Sequence, residues 1–267
     1  MRHGPTLGFV MPALLATLPA SAQDLPELKA RGALRLLAVP VPDFPQFLSV
    51  QKEKPSGFDY EVLSGFCRLQ RLELQVVAVE SWGGLVPALR EGKGDLIAGG
   101  FRVTPSRRDL IDFSVEAFPS RRVVMSRAPH RVVRTIDELR SERVGTIRGS
   151  ALAELVASLG VPPRNVDDGV PPGGLVAALR SGRVTAAIDG VEVALVAAQE
   201  DAGIQLGMWA GPPESLAYGV RKDSPRLRQE LDTYLGNFRR TLSWNRLVVK
   251  YFGPAAPEVL KKSRGTE

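Results

Sequence analysis

The sequence predicts an α/β protein made of two lobes of like construction. Strand and helix patterns alternate along most of the 267 residues, which is typical of parallel sheets flanked by helices. An internal echo supports two lobes, because residues 83–100 (GGLVPALREGKGDLIAGG) parallel residues 173–190 (GGLVAALRSGRVTAAIDG). The length also allows two cores. One continuous doubly wound sheet is the alternative.

The first 22 residues are typical of a secretory signal peptide rather than of the fold. A basic start precedes an apolar run at residues 7–20, which is too short to span a membrane. Ala20, Ser21 and Ala22 then form the small-residue pattern that a signal peptidase requires. We therefore expect cleavage after Ala22 and a periplasmic or secreted mature protein.

The composition argues against several function classes. Loss of Arg2 with the signal lowers the formal net charge from +6 to +5, and the remaining basic residues are scattered, so no nucleic-acid partner is expected. Cys67 is the single cysteine, in an apolar helical stretch that indicates a buried thiol. His130 is the only histidine left after cleavage, so a histidine-based metal site is not expected. No cofactor is predicted.

The first lobe is predicted from five alternating elements. Buried or alternating apolar patterns mark the strands, and a 3.6-residue period marks the helices. In order these are a strand at 33–41, a helix at 58–70, a strand at 72–79, a short helix at 84–91 and a strand at 95–99. This order predicts a mostly parallel sheet with helices on both faces.

A second unit of the same kind follows. A strand at 121–126 precedes a helix at 135–140, which begins with a Thr-x-x-Glu capping box. The remaining elements are strands at 143–147 and 185–189, helices at 151–159, 173–182 and 191–199, a returning strand at 216–220, and C-terminal helices at 225–238 and 244–251. The polar end from Pro254 onward is expected to fray.

The most informative stretch is residues 99–114, GGFRVTPSRRDLIDFS. A strand ends at paired glycines, and ligands of open parallel sheets bind beyond such strand ends. Gly100 would let a backbone amide approach a ligand, and Arg107 could grip a carboxylate through two parallel hydrogen bonds. On composition alone, an ordinary surface arginine is the alternative.

Four motifs in this order resemble solute-binding protein family 3, the polar amino-acid receptors of ABC importers. They are G-F-D-Y-E at 57–61, W-x-x-L-x-P-x-L-x-x-G-x-x-D at 82–95, T-x-x-R with I-D-F-S at 104–114, and G-x-x-x-A-x-x-D at 182–189, where Thr185 replaces an expected Asp. The tail at 218–252 is also similar to the sensor module of membrane-bound lytic transglycosylase F, in which a catalytic domain follows.

The resemblance implies the fold of a type II periplasmic binding protein, with two α/β lobes joined by two crossover segments and the ligand cleft between them. Lobe 1 would comprise residues 23–126 and 217–267, and lobe 2 residues 127–216. It also implies closure about a hinge, a monomer, and a membrane permease as partner.

The resemblance further assigns site residues. Arg107 would pair with a ligand carboxylate, with Thr104 as a weaker candidate in the same loop. Asp189 would pair with a ligand ammonium, unless it is only a turn residue before Gly190. The other implied positions are Gly149 and Ser150 for the carboxylate, and Phe44 and Trp82 for stacking on the apolar part, with core packing as the alternative for Trp82.

Arg102 departs from the family pattern, which often has a small hydroxyl residue there. A cation at this position could demand a second anionic group on the ligand or could point away, and Arg148 raises the same expectation of an acidic ligand.

The expected function is capture of an amino acid or a related zwitterionic or acidic metabolite, without catalysis. The alternatives are a stand-alone sensor or accessory module that binds cell-wall fragments or a protein partner, and a dehydratase-like enzyme on the same fold. The S-x-x-K match at Ser49 lies in a polar loop without companion motifs, so it does not favour an enzyme.

Overall fold

The computed structural model describes residues 24–40, 46–50 and 55–265. The signal peptide predicted at residues 1–22 and the stacking role predicted for Phe44 lie outside these ranges. Elements are numbered in chain order below.

Lobe 1 contains a five-stranded sheet of mixed direction. Its strands are β1 (Ala33–Ala38), β2 (Glu73–Ala78), β3 (Leu96–Ile97), β4 (Asp112–Phe113) and β10 (Gly219–Val220), in the order β2-β1-β3-β10-β4. The first three pair in parallel, as predicted, and β10 returns antiparallel between β3 and β4. Because β10 comes from a distant part of the chain, lobe 1 is discontinuous.

The helices of lobe 1 are α1 (Leu25–Arg31), α2 (Phe58–Gln70), α3 (Leu85–Arg90) and α4 (Pro105–Leu110), and a 3-10 turn at Trp82–Gly84 leads into α3. The prediction of α2 is confirmed at both ends. Helix α4 was missed, because only one turn and a half follows the Thr104 cap and Pro105.

Lobe 2 contains the second five-stranded sheet. Its strands are β5 (Phe118–Arg127), β6 (Val144–Gly145), β7 (Val166–Asp167), β8 (Ala186–Gly190) and β9 (Ile204–Leu216), in the order β7-β6-β8-β5-β9, and its helices are α5 (Ile136–Ser141), α6 (Ala151–Ser158), α7 (Leu175–Arg180) and α8 (Val191–Glu200). The echoed segments form α3–β3 in one lobe and α7–β8 in the other. Two separate sheets replace the alternative of one continuous sheet.

The lobe boundary predicted between residues 126 and 127 is wrong, because all of β5 pairs with β8 and β9 of the second sheet. The crossovers lie at 114–117 and 217–218 instead. The first is hydrogen-bonded to the second from Ser114 N to Tyr218 O (2.9 Å), and to the end of β9 from Ala117 N to Leu216 O (2.9 Å).

Three C-terminal helices follow β10, and the middle one contacts both lobes. They are α9 (Pro225–Phe238), α10 (Leu242–Phe252) and α11 (Ala256–Ser263). Helix α10 packs on α2 and α8, and α11 packs on β5. The fraying predicted beyond Pro254 is therefore wrong, since Leu260 of α11 is buried and gives this polar segment an apolar anchor.

An aromatic cluster joins the two lobes. Phe118, at the start of β5, lies 5.3 Å from Phe58 of α2 and 4.6 Å from Phe252 of α10 between ring centroids. Cys67 is buried as predicted, and burial raises the pKa of its thiol to about 12. Within the described ranges, every helix falls short of the length and apolar character that a membrane span requires.

Candidate functional site

The short helix α4 fixes Arg107 at the end of β3. The Arg107 amide donates to Thr104 Oγ1 (3.3 Å), so Thr104 caps the helix that carries the arginine. The Arg107 Nη1 atom donates to the Arg102 carbonyl oxygen (2.6 Å), and its guanidinium lies 4.1 Å from the centroid of the buried Phe101 ring. Thr104 thus acts through the position of Arg107.

Among the described residues, no carboxylate lies within ion-pair range of the Arg107 guanidinium. Burial, and secondarily the charge of Arg102, lower the pKa of Arg107. Binding of an anion would stabilise this half-buried cation, because its charge is partly removed from water.

Arg107 also lines an open pocket of about 660 Å³. The other lining residues are Trp82, Gly83, Val86, Pro87, Arg90, Glu91, Ser106 and Leu110. Trp82 is 40% exposed, so the core-packing alternative for this side chain is wrong. The pocket offers two cations, Arg90 and Arg107, and one carboxylate, Glu91, beside an apolar wall, and all of its lining belongs to lobe 1.

The backbone amides of the paired glycines, Gly99 and Gly100, donate to Asp59 and are not free to bind a ligand. Asp59 Oδ2 accepts hydrogen bonds from Gly99 N (2.8 Å) and Gly100 N (2.9 Å), and Oδ1 accepts one from the Tyr218 hydroxyl (3.0 Å). The amide predicted to meet a ligand at Gly100 is therefore already used. Gly100 has a φ of +77°, and a Cβ there would lie 2.8 Å from Phe47. Burial raises the pKa of Asp59 to about 6.

Arg102 points across the lobe boundary into a group of carboxylates. Its Nη2 lies 2.9 Å from Glu192 Oε1, its Nη1 pairs with Glu214, and the same nitrogen lies 3.3 Å from Ser120 Oγ. Ser120 Oγ in turn donates to the second oxygen of Glu192 (2.6 Å). The protein itself neutralises Arg102, so the second anionic group expected from this position is not required.

Asp189 lies at the carboxyl end of β8 in the same group of charges. Its Oδ1 accepts from Gly190 N (2.7 Å) and lies 3.3 Å from Arg122 Nη1. The Arg122 Nε atom lies 3.8 Å from Glu214. Burial raises the pKa of Asp189, against the opposing effect of Arg122. A chain of contacts therefore runs from Arg107 through Arg102 to the carboxylates of lobe 2.

The start of α6 offers less than predicted. Ser150 is its N-cap, with Oγ accepting from Ala153 N (3.3 Å) and donating to Ile147 O (2.6 Å), and the Ser150 amide also donates to Ile147 O (3.1 Å). Neither Ser150 group is free for a ligand. Gly149 is exposed with a φ of +69°. Arg148 is 79% exposed and pairs with Asp168, so it too gives no reason to expect an acidic ligand.

Five residues of this site were not found from the sequence. They are Phe101, Ser120, Arg122, Glu192 and Glu214. Only Glu192 had a readable signal, since an acid in the first turn of a helix directly follows the Asp189-Gly190 strand end. Ser120, Arg122 and Glu214 depend on the pairing of β5 with β8 and β9, which one sequence does not fix. Phe101 stands within residues 99–114, but the sequence does not show that its ring lies beneath Arg107.

The charge group makes a first prediction for stability. Arg102→Ala should lower the free energy of unfolding by about 2 kcal/mol, because Glu192 is 5% exposed and would lose its cation. This corresponds to a melting-temperature decrease of roughly 6 °C by differential scanning calorimetry.

Arg148→Ala is the matched control, because it breaks an arginine–carboxylate pair at the exposed surface. It should cost less than about 1 kcal/mol. Equal losses in the two variants would show that the Arg102 contacts do not stabilise the lobe boundary.

Comparison with known proteins gives one family. The model of bacterial extracellular solute-binding proteins, family 3, matches residues 37–254. The chain is similar to the probable histidine-binding protein of Campylobacter jejuni, with 28% identity over 46% of this chain and 47% of that protein. It is also similar to the membrane-bound lytic murein transglycosylase F of Desulfosudis oleivorans, with 21% identity over 76% of this chain and 45% of that protein. The matches thus span less than half the length of these two relatives.

Among solved structures, an ancestral cationic amino acid solute binding protein has the same fold. It matches with a TM-score of 0.73 and 21% identity, over 85% of this chain and 99% of that one. The fold expected from the motifs, two α/β lobes of a type II periplasmic binding protein, is confirmed.

Proposed function

The chain belongs to the bacterial extracellular solute-binding proteins of family 3, and from this membership we propose that it captures a small carboxylate, an amino acid or a related zwitterionic or acidic metabolite. The mature protein would act in the periplasm and deliver its ligand to the permease of an ABC importer. It would bind as a monomer and without turnover.

The observation that carries this proposal is the state of Arg107. Its guanidinium is held over Phe101 by the Thr104 cap and the Arg102 carbonyl, and it lines the pocket next to Trp82. A carboxylate can accept two parallel hydrogen bonds from the planar guanidinium of an arginine, and it neutralises the positive charge. Trp82 and Leu110 would cover the apolar part of the ligand.

Lobe 2 would supply the other half of the site. Asp189 is the acid that a ligand ammonium would meet, in competition with Arg122, and the exposed Gly149 could offer its amide to a carboxylate oxygen. Binding to both lobes at once would favour a closed arrangement over an open one. Because α10 contacts both lobes, closure would be a rotation about its contacts and the two crossovers.

A second candidate is a sensing or accessory module for cell-wall fragments. The similarity to the lytic murein transglycosylase F covers 76% of this chain. Such a module would use the same pocket without a permease.

A thermal-shift screen of residues 23–267 tests the proposal. The panel would hold the standard amino acids, their deaminated analogues, dicarboxylates and muropeptides. A ligand that binds only the folded state raises the melting temperature, by mass action, with about 2.7 kcal/mol gained at 100 times the Kd.

We expect a rise with one class of free carboxylates and none with the corresponding methyl esters. A rise with muropeptides alone would favour the cell-wall module. Consumption of a hit compound, followed by ultraviolet absorbance, would contradict the absence of turnover. No rise with any carboxylate would contradict the receptor proposal.

A further inference from the structure

We propose that Arg122 sets the ligand class of this site, which accepts carboxylates with an apolar body whether or not they carry an α-ammonium. The inference rests on the proposed function and concerns the group of the ligand that would meet Asp189. Arg122 is then a specificity-determining residue that takes the place an ammonium would occupy beside Asp189.

The pairing of β5 with β8 places Arg122 at this position. Arg122 lies opposite Gly190 in the antiparallel register, next to the Asp189 pair. Its side chain is 16% exposed, and its guanidinium lies between Asp189 Oδ1 (3.3 Å) and Glu214 Oε2 (3.8 Å). Its two partners lie on β8 and β9, the strands on either side of β5, so Arg122 cannot leave without breaking two charge contacts.

The neighbouring charges also oppose the binding of an ammonium beside Asp189. The carboxylates of Asp189, Glu192 and Glu214 share the two guanidiniums of Arg102 and Arg122. Both oxygens of Glu192 are used, by Arg102 and by Ser120. An ammonium that reached Asp189 would lie within a few ångströms of Arg122, and like charges at such a distance repel strongly where water is largely excluded.

On the Arg107 side of the site, no described carboxylate competes with the carboxylate of a ligand. Arg107 has no carboxylate in ion-pair range among the described residues, and it faces a pocket walled by Trp82, Val86 and Leu110, whose lining also includes Arg90 and Glu91. Selection therefore acts on the carboxylate and on the apolar body, and only weakly on an α-ammonium.

Isothermal titration calorimetry with matched ligand pairs tests this inference. The pairs are phenylalanine with 3-phenylpropanoate and leucine with 4-methylpentanoate, which differ only in the α-ammonium. The wild-type protein should bind each deaminated compound at least as tightly as its amino acid. In Arg122→Gln, which frees Asp189, affinity for the amino acid should rise relative to its partner by about 10-fold.

Two variants serve as controls. Arg127→Gln removes another arginine of β5 that pairs with an acid, Asp201, at the other end of the strand, and it should keep the wild-type preference. Arg122→Lys retains a cation beside Asp189 and should keep that preference too. A melting temperature for each variant establishes that it is folded.

A wild-type preference of 10-fold or more for the amino acids would overturn the inference and leave the receptor proposal in place. An unchanged ratio in folded Arg122→Gln would overturn it as well. Failure of every carboxylate to bind, in the pairs and in the wider panel, would instead overturn the receptor proposal and the inference with it.

Discussion

Replacement of Arg107 by alanine should weaken binding of a carboxylate ligand by about 100-fold, because truncating one partner of a desolvated charge pair costs about 3 kcal/mol. The same variant should change the melting temperature little, since Arg107 has no carboxylate partner in range among the described residues and donates mainly to the Arg102 carbonyl. Calorimetric titration of both proteins gives the ratio of the two Kd values.

Arg108→Ala is the matched control on the same helix. Arg108 is exposed and lies outside the lining of the Trp82 pocket, so its removal should leave the Kd within about 2-fold. Arg107→Lys should lose part of the affinity, because lysine keeps the charge without the planar fork. Equal affinities for wild type and Arg107→Ala would remove the anchoring role.

Asp59 should make the folded protein less stable as the pH rises from about 4 to about 6. Burial raises the pKa of Asp59 from 3.8 to about 6 in the folded protein, so in this interval the folded state holds a proton that the unfolded chain has released. Stability falls with pH wherever the folded state binds more protons, and here the total change is about 3 kcal/mol. Above about pH 6 the effect is complete and constant.

Asp59→Asn isolates this contribution. The amide oxygen of asparagine can accept from the Gly99 and Gly100 amides, and its NH2 group can donate to the Tyr218 hydroxyl. The melting temperature of wild type, measured relative to this variant, should fall by roughly 8 °C between pH 4 and pH 7.

Asp137→Asn provides the control for the pH series, because Asp137 is 90% exposed. Its melting temperature relative to wild type should be nearly constant. A constant difference between wild type and Asp59→Asn would show that Asp59 titrates in the folded protein as it does in the unfolded chain.

Much of the fold follows from local patterns in the sequence. Helix α2 and helix α9 begin and end where the apolar period predicts, and the Thr135–Glu138 capping box is present at the start of α5. The 13-residue strand β9 was missed because Gly207, Gly211 and the Pro212-Pro213 pair interrupt its alternation. Pairing with β5, with two register shifts, extends the strand through them nonetheless. Tertiary pairing overrides local signals at such positions.

Only the site residues at the ends of strands or in motifs were predictable from the sequence. Thr104, Arg107 and Asp189 stand in motifs or at strand ends, so their positions could be identified from the sequence. The residues between these ends come from β5, α8 and β9, and contacts among them depend on register across two lobes. The same limit explains why Gly100 and Ser150 were assigned to the ligand, since their true partners, Asp59 and Ile147, bind them inside the fold.

The charge group between the lobes has a consequence for specificity as well as for stability. Arg102 and Arg122 each contact two carboxylates, so the charges of lobe 2 are largely matched before a ligand arrives. Arg107 is matched by none of the described carboxylates. We therefore expect the affinity to depend mainly on the anionic end of the ligand.

The most direct test of the central claim is a crystal structure of the protein with the carboxylate that gives the largest thermal shift. We predict one bound molecule, with both carboxylate oxygens within hydrogen-bond distance of the Arg107 guanidinium and its apolar part against Trp82. A ligand bound elsewhere, with Arg107 still turned to the Arg102 carbonyl alone, would contradict the account.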